Sequence, residues 1–298
     1  MDAEDAVDAL YHTCFEAGEA CPLYQTTDTS AASIRARVDA LIHELEEAPV
    51  PTIHNGRVFL VSSFLVREEI RQSLYTPIPT FDPLSRALAA ALKGNFSLIL
   101  SNPAVLGSDN RPAVCTEPPA TTPLTAFTNQ AEANLGIACG DSQALAGDRS
   151  TLAWAAATVS RIANQSSSIG EVWATLPLVC AGWRFSPPYA FRGPFGSPAP
   201  PANSTAAAPL LILSSRTDHV TPLANAYRLS GLHGGSAVVV QESVGHCALI
   251  SAASECTRQF VRAYFRTGEV PRNGTVCEAD CRAEIPFKAC EGLPPAAV

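Results

Sequence analysis

Two continuous apolar runs constrain the fold of this chain more than any other feature. Residues 209–213 read Pro-Leu-Leu-Ile-Leu, residues 236–240 read Ser-Ala-Val-Val-Val, and a helical segment at 224–229 lies between them. Runs without polar alternation are typical of strands that are buried on both faces of a parallel sheet. Two such strands joined through a helix require a parallel pair with a right-handed crossover. The sequence therefore predicts an α/β fold.

The first 130 residues instead predict helices separated by irregular stretches. Amphipathic spacing predicts helices at 3–18, at 34–45 behind a capping Ser30 or Ser33, at 63–74, and at 82–92 before Gly94. Residues 57–61 fit a short strand or a turn. Further helices are predicted at 151–164, 170–178 and 249–265, with a loop at 102–123 and a linker at 193–209. We divide the chain into a mostly helical cap, residues 1–130, and a core region, residues 131–298.

Composition excludes two classes of partner. The formal net charge is -8, and the 20 basic residues are scattered, so no cluster exists to neutralise phosphates. No run reaches the roughly 18 consecutive apolar residues of a membrane helix. We therefore expect neither a nucleic-acid partner nor a membrane partner.

Charged and polar residues follow both predicted strands. Asp218 comes shortly after the first strand, and His246 comes shortly after the second. Catalytic groups in open parallel sheets lie just past the carboxyl ends of strands. Asp218 could accept the Nδ1 proton of His246, which leaves Nε2 as a general base. Either residue alone is more typical of a turn or a structural site, so the catalytic interpretation rests on the two together.

Several segments resemble one family of enzymes. Thr217-Asp218-His219-Val220-Thr221-Pro222 and Gly245-His246 look like the acid and histidine loops of α/β-hydrolases. Other segments resemble the tripeptidyl aminopeptidase-like branch, which is related to proline iminopeptidases: Cys14-Phe15-Glu16-Ala17-Gly18 with Cys21-Pro22-Leu23, Leu84-Ser85-Arg86-Ala87-Leu88, Gly136-Ile137-Ala138-Cys139-Gly140-Asp141, Cys180-Ala181-Gly182-Trp183, and the tail from Tyr264 to Cys277.

The resemblance implies a serine exopeptidase that releases short N-terminal peptides, with no cofactor and no metal. The nucleophile of the family lies on a Gly-x-Ser-x-Gly turn upstream of the acid, and this motif does not occur here. The nearest approaches, at Ser108 and Ser197, lie in Pro-rich loops. We therefore expect the C-terminal portion of an α/β-hydrolase fold, with its last two parallel strands, Asp218 and His246, and a missing N-terminal half as partner.

Three alternatives stay open at this point. The substrate is a peptide, or a small ester if the chain comes from an esterase on the same fold. The chain could instead be a non-catalytic module for binding or complementation, or a truncated gene model. An exopeptidase needs acidic groups to hold the substrate ammonium, and the cap region offers five candidates: Glu16, Glu44, Glu68, Glu69 and Glu132.

The cysteines and glycosylation sequons favour the secretory pathway. The chain has ten cysteines, and sequons begin at Asn95, Asn164, Asn203 and Asn273. The acidic residues 1–5 do not form a secretory signal, so we expect a signal peptide upstream of Met1. The resemblance favours disulfides between Cys14 and Cys21 and between Cys139 and Cys180, with Cys256 and Cys277 next. Cys277 and Cys281 lack the spacing of a zinc site, and Cys247 is interpreted as structural.

Overall fold

The computed structural model describes residues 2–102, 130–141, 151–183, 185, 188–189, 196–198 and 209–280. The predicted loop at 102–123, apart from Asn102, and most of the predicted linker lie outside these residues. The boundary between cap and core at residue 130 stays a prediction.

The described part of the cap region, residues 2–102, contains four α-helices and a hairpin. Their bounds are α1 Asp2–Ala17, α2 Ala31–Glu47, β1 Val50–His54, β2 Arg57–Val61, α3 Ser63–Ser73 and α4 Pro77–Ala91, with short 3₁₀ turns at Gly18–Ala20 and Ile99–Ser101. The apolar faces of the helices enclose a common core, whose largest members include Tyr11, Ile34, Leu45, Ile70 and Phe81. The predicted helices of this part are confirmed, although α4 begins five residues earlier than Asp82. Proline is well tolerated in the first turn of a helix, where its missing N–H has no helical partner.

The hairpin was only half predicted from the sequence. Antiparallel β1 pairs with β2 through a tight turn in which Asn55 and Gly56 have φ values of 51° and 72°. These positive values fit a type I′ turn, for which Asn-Gly is the preferred pair. Pro51 lies within β1, where it is tolerated because each strand of a two-stranded ribbon is an edge strand.

The core region contains a parallel sheet. Its elements are α5 Gln130–Asp141, α6 Leu152–Ala163, α7 Gly170–Trp173, α8 Thr175–Ala181, β3 Leu211–Thr217, α9 Leu223–Leu232, β4 Ala237–Val244, α10 Ala248–Ser251, α11 Glu255–Thr267 and β5 Thr275–Glu278. The strands lie in the order β3-β4-β5, and both neighbouring pairs are parallel. The predicted parallel pair is therefore confirmed.

Three features of the core region differ from the sequence prediction. The sheet has a third strand, β5, whose four residues are too few to give a strand pattern. Each of two predicted helices is divided in two: 249–265 into α10 and α11, and 170–178 into α7 and α8. The first division falls where Ser254 caps α11, since its hydroxyl accepts a hydrogen bond from the Thr257 amide at 3.2 Å.

Burial differs between the two predicted strands. Val238, Val239 and Val240 of β4 are 0% exposed, as expected for a central strand. Leu211 to Leu213 of β3 are only half-buried, so the prediction that this strand is buried on both faces is wrong. The cause is that β3 pairs with a strand on one side only among the described residues.

Candidate active site

The acid and the histidine lie where the two longest strands of the sheet end. Asp218 directly follows β3, and His246 follows β4 after Gly245. The amide of Gly245 donates to the carbonyl of Thr217 at 2.9 Å, so the two loops are joined at their first residues. Parallel pairing therefore places the two side chains on the same edge of the sheet.

The two side chains form a hydrogen-bonded pair. Nδ1 of His246 lies 3.1 Å from Oδ2 and 3.2 Å from Oδ1 of Asp218. Asp218 is 1% exposed, whereas the His246 side chain is 25% exposed. Among the residues that the structure describes, no group hydrogen-bonds Nε2 of His246. The hydrogen bond that the sequence predicts between Asp218 and Nδ1 of His246 is therefore present.

Asp218 also organises its own turn. Its Oδ1 accepts from the amides of Val220 and Thr221, each at 2.8 Å, and its Oδ2 accepts from the Thr221 hydroxyl at 2.8 Å and the Cys247 amide at 3.2 Å. Turn formation and pairing with His246 were alternatives at the sequence level. The structure shows both, because a carboxylate has acceptor sites for several donors.

The same hydrogen bonds determine the charge of the acid. Burial alone would raise the pKa of the Asp218 carboxyl, but the donors from Thr221, Val220 and Cys247 outweigh it and hold the pKa below its usual value. Asp218 is therefore a carboxylate at neutral pH and can only accept. It follows that Nδ1 of His246 carries the shared proton.

The loop that carries His246 is fixed from inside the core region. Nε2 of Gln241, on β4, donates to the carbonyls of Ala248 at 2.6 Å and Ala252 at 3.0 Å. The Ser251 hydroxyl lies 3.1 Å from that of Ser215 and 3.0 Å from that of Ser243. These buried bonds join α10 to both strands, so the end of the histidine loop cannot move independently of the sheet.

A cap residue holds the other side of the loop. The amide of His246 donates to the carbonyl of Tyr75 at 3.0 Å, and Tyr75 lies between α3 and α4. The Tyr75 ring is nearly perpendicular to the rings of His246, at 5.5 Å between centroids, and His219, at 4.8 Å. Cap and core thus meet at the candidate site.

Sequence reasoning did not single out Thr221, His219 or Tyr75 as site residues. Thr221 had a local signal, because an Asp three residues before a Thr commonly forms a side-chain-stabilised turn. Burial lowers the pKa of His219 to about 4, so it is neutral at pH 7. Tyr75 had no signal, because its contact with His246 joins residues that are far apart in the chain.

The predicted cap acids divide into exposed and buried groups. Glu16 and Glu44 are exposed, whereas Glu68 and Glu69 are buried. The side chain of Glu132 lies outside the described residues.

The two buried carboxylates have different surroundings. Glu68 is bound by Arg71, at 2.6 and 2.8 Å, and by Gln72 at 2.7 Å. Glu69 accepts from Asn102 at 2.8 Å, and no ion pair involves it in the described part of the chain. Burial raises the pKa of Glu69. Glu69 is thus a buried acid, and no cationic side chain among the described residues forms an ion pair with it.

Ser197, one of the two serines weighed as a nucleophile, lies away from the pair. Its hydroxyl is 2.9 Å from Nδ1 of His233, which precedes β4, whereas His246 follows that strand. The two histidines are therefore at opposite ends of β4. Ser108 lies outside the described residues.

The disulfide pairs agree with those that the resemblance favours. Disulfides join Cys14 to Cys21, Cys139 to Cys180, and Cys256 to Cys277. Cys247 has a free, exposed thiol, and its amide donates to Asp218. Across the described residues, no group of three or more His, Cys, Asp and Glu side chains could hold a metal, and no helix is long and apolar enough to cross a bilayer.

Comparison with known proteins gives one family. No curated protein matches the chain. Residues 165–277 match the family model Abhydrolase_4, described as TAP-like protein. The matched segment contains Asp218, His246 and all three strands of the parallel sheet up to Cys277 of β5. Residues 165–277 of this chain, which carry the candidate acid and base, are therefore similar to the TAP-like family of α/β-hydrolases.

Proposed function

We propose that this chain provides the acid and the base of a serine hydrolase that removes short peptides from the N-termini of its substrates. The observation that carries the proposal is the Asp218–His246 pair, which lies at the carboxyl edge of parallel strands within the TAP-like segment. An aspartate that fixes the tautomer of a histidine is the arrangement that activates a nucleophilic serine.

The pair supports a defined sequence of proton transfers. The Asp218 carboxylate holds the Nδ1 proton, so the lone pair of His246 is on Nε2. Nε2 removes the proton of the serine hydroxyl as its oxygen attacks the carbonyl carbon, and Asp218 stabilises the imidazolium that forms. His246 then gives the proton to the leaving amine. A general base of this kind contributes typically 10²- to 10⁴-fold to the rate.

The nucleophile in this proposal comes from polypeptide outside the 298 residues, since they contain no Gly-x-Ser-x-Gly turn. A strand that carries the nucleophile could pair with the half-buried strand β3. Among the described residues, β3 has a neighbouring strand on one side only. A further parallel strand added there would bring its own carboxyl end beside Asp218.

Glu69 supports a peptide substrate over an ester. A free N-terminal peptide carries an ammonium group, and a buried carboxylate without a described cation is suited to bind one. Simple esters have no such group. Glu69 lies on α3, the helix that leads to Tyr75 and so to His246. We propose Glu69 as the group that holds the substrate ammonium.

The three disulfides support an oxidising compartment as the place of action. We therefore propose that the protein is secreted. The described sequon residues Asn95, Asn164 and Asn273 are exposed, which would leave them open to glycosylation.

The test compares the 298-residue chain with a longer chain that includes the translated sequence upstream of Met1. A fluorophosphonate probe should label one serine of the longer chain, and that chain should release peptides from substrates with a free N-terminus. The 298-residue chain should do neither, because His246 then has no serine to deprotonate. Stoichiometric labelling of a serine in the 298-residue chain would contradict the proposal.

Two variants of the longer chain test the roles of the pair. His246→Ala should abolish hydrolysis, and Asp218→Asn should lower it by roughly 10⁴-fold through the wrong tautomer. Ser197→Ala is the matched control, because this serine lies at the other end of β4, and it should retain the full rate. Hydrolysis that survived both substitutions in the pair would show that the acid and base are misassigned.

A further inference from the structure

The described hydrogen bonds of the His246 side chain all involve one ring nitrogen. Both carboxylate oxygens of Asp218 and the Thr221 hydroxyl, at 3.3 Å, approach Nδ1. These bonds restrain the ring through Nδ1, and the side chain is 25% exposed to solvent. A second contact, away from Nδ1, adds a separate restraint on the direction of Nε2.

The ring of Tyr75 makes that second contact. The Tyr75 and His246 rings are nearly perpendicular, with 5.5 Å between centroids and 85° between planes. The backbone of Tyr75 also accepts the His246 amide at 3.0 Å, so the two residues are held together at both main chain and side chain. Edge-to-face packing of this kind favours one relative orientation of two rings.

The Tyr75 ring is itself held in place by the cap. Arg71 donates to the Tyr75 hydroxyl at 3.2 Å, and its guanidinium lies 5.7 Å from the Tyr75 ring centroid and 5.0 Å from that of Trp173. Two hydrogen bonds to Glu68 fix the guanidinium in turn. Tyr75 also packs against the buried ring of His219. The ring therefore has little freedom to follow a movement of His246.

We propose that Tyr75 is a positioning residue for His246: its aromatic ring, held in place by the cap, restrains the direction of Nε2. The inference rests on the proposed role of His246 as the base. It assigns to the cap a part in catalysis that is separate from substrate binding.

The test observes the imidazole directly and needs no nucleophile. The chain has six histidines, so ¹⁵N-histidine NMR spectra are simple, and His246→Gln identifies the Nδ1–H resonance of the pair. The variants are Tyr75→Leu, Tyr75→Phe and the control Tyr24→Leu, which removes a half-buried cap tyrosine that packs on Phe15 instead. Carbethoxylation of His246 by diethylpyrocarbonate, mapped by mass spectrometry, gives an independent rate.

Tyr75→Leu should broaden or abolish the Nδ1–H resonance and raise the carbethoxylation rate roughly three- to tenfold, the factor that corresponds to one aromatic pair. Tyr75→Phe keeps the aromatic ring, so its resonance and carbethoxylation rate should resemble those of the wild type. Tyr24→Leu should resemble the wild type as well. Circular dichroism checks that each variant is folded. If Tyr75→Leu does not fold, Tyr75→Met carries the same expectation.

A folded Tyr75→Leu or Tyr75→Met variant with an unchanged resonance and rate would overturn the inference. A Tyr75→Phe variant that behaved like Tyr75→Leu would also overturn it, because the hydroxyl and not the ring would then be responsible. Failure of the proposed function looks different: hydrolysis by the longer chain would survive His246→Ala, whatever the Tyr75 variants do to the resonance.

Discussion

Gly245→Ala should separate the acid from the base, because Gly245 has no room for a side chain. Its φ is +121°, which side-chain-bearing residues rarely adopt. A Cβ there would lie 2.6 Å from Cδ of Pro77, 2.9 Å from the carbonyl oxygen of Tyr75, and 3.0 Å from Cβ of Ser251. A backbone oxygen and a proline ring carbon cannot move aside by a simple rotamer change. The substitution therefore forces the backbone to respond.

The backbone can respond in two ways, and the response with the lower cost in free energy is expected. If the loop stays in place, strain costs about 1–3 kcal/mol and overpacking about another 1–3 kcal/mol. If the loop moves, it loses the hydrogen bonds from Gly245 to Thr217, at 2.9 Å, and from His246 to Tyr75, at 3.0 Å. Each is worth about 1 kcal/mol, so movement costs about 2 kcal/mol. We expect the loop to move, with a loss of at least about 2 kcal/mol in the free energy of unfolding, because the Asp218–His246 bond is lost as well.

Gly94→Ala is the matched control. Gly94 also has a positive φ, +78°, but a Cβ there meets nothing within 4 Å, so this variant bears only the strain of the left-handed conformation, about 1–2 kcal/mol. Urea unfolding measures both losses, and the Nδ1–H resonance of His246 reports the pair. If Gly245→Ala unfolded at the same urea concentration as Gly94→Ala and kept the resonance, the close packing between cap and histidine loop would be refuted.

Two further predictions concern stability. Glu4 binds Ser166, Ser168 and Arg35; burial alone would raise its pKa, but these partners lower it from 4.5 to about 2. The contribution of Glu4 to the free energy of unfolding is therefore present above pH 4.5 and lost as the pH falls toward 2. The pKa shift corresponds to roughly 3 kcal/mol. Because solvent screens part of this energy, Glu4→Gln should lower the free energy of unfolding by about 1–2 kcal/mol at pH 7. Urea unfolding at pH 7 and pH 2.5 should show this cost shrinking with acidity; an equal cost at both would contradict the assignment. Replacing Cys256 and Cys277 by alanine should cost about 3 kcal/mol, because the disulfide spans 21 residues and restricts the unfolded chain. A thermal melt of this double variant that matched the wild type would show that β5 is held without the disulfide.

The sequence determined the features that depend on local pattern. Helical spacing predicted α1, α2 and α3 because an amphipathic helix carries its signal within its own residues. The two apolar runs predicted parallel β3 and β4, and their order predicted that Asp218 and His246 would share one edge of the sheet. That topology brings the two side chains close together, and the hydrogen bonds within their loops then allow the 3.1 Å contact.

Tertiary structure decided the features that depend on contacts between distant residues. The four residues of β5 form a strand because they pair with the edge of β4. No local pattern marks Tyr75 as a neighbour of His246, since the contact exists only once α3 and α4 pack against the core region. Glu69 has the same residue type as the exposed Glu16, and only folding buries one and not the other. Periodicity reports which face of an element is buried, whereas the identity of the neighbour across that face depends on how whole elements pack together.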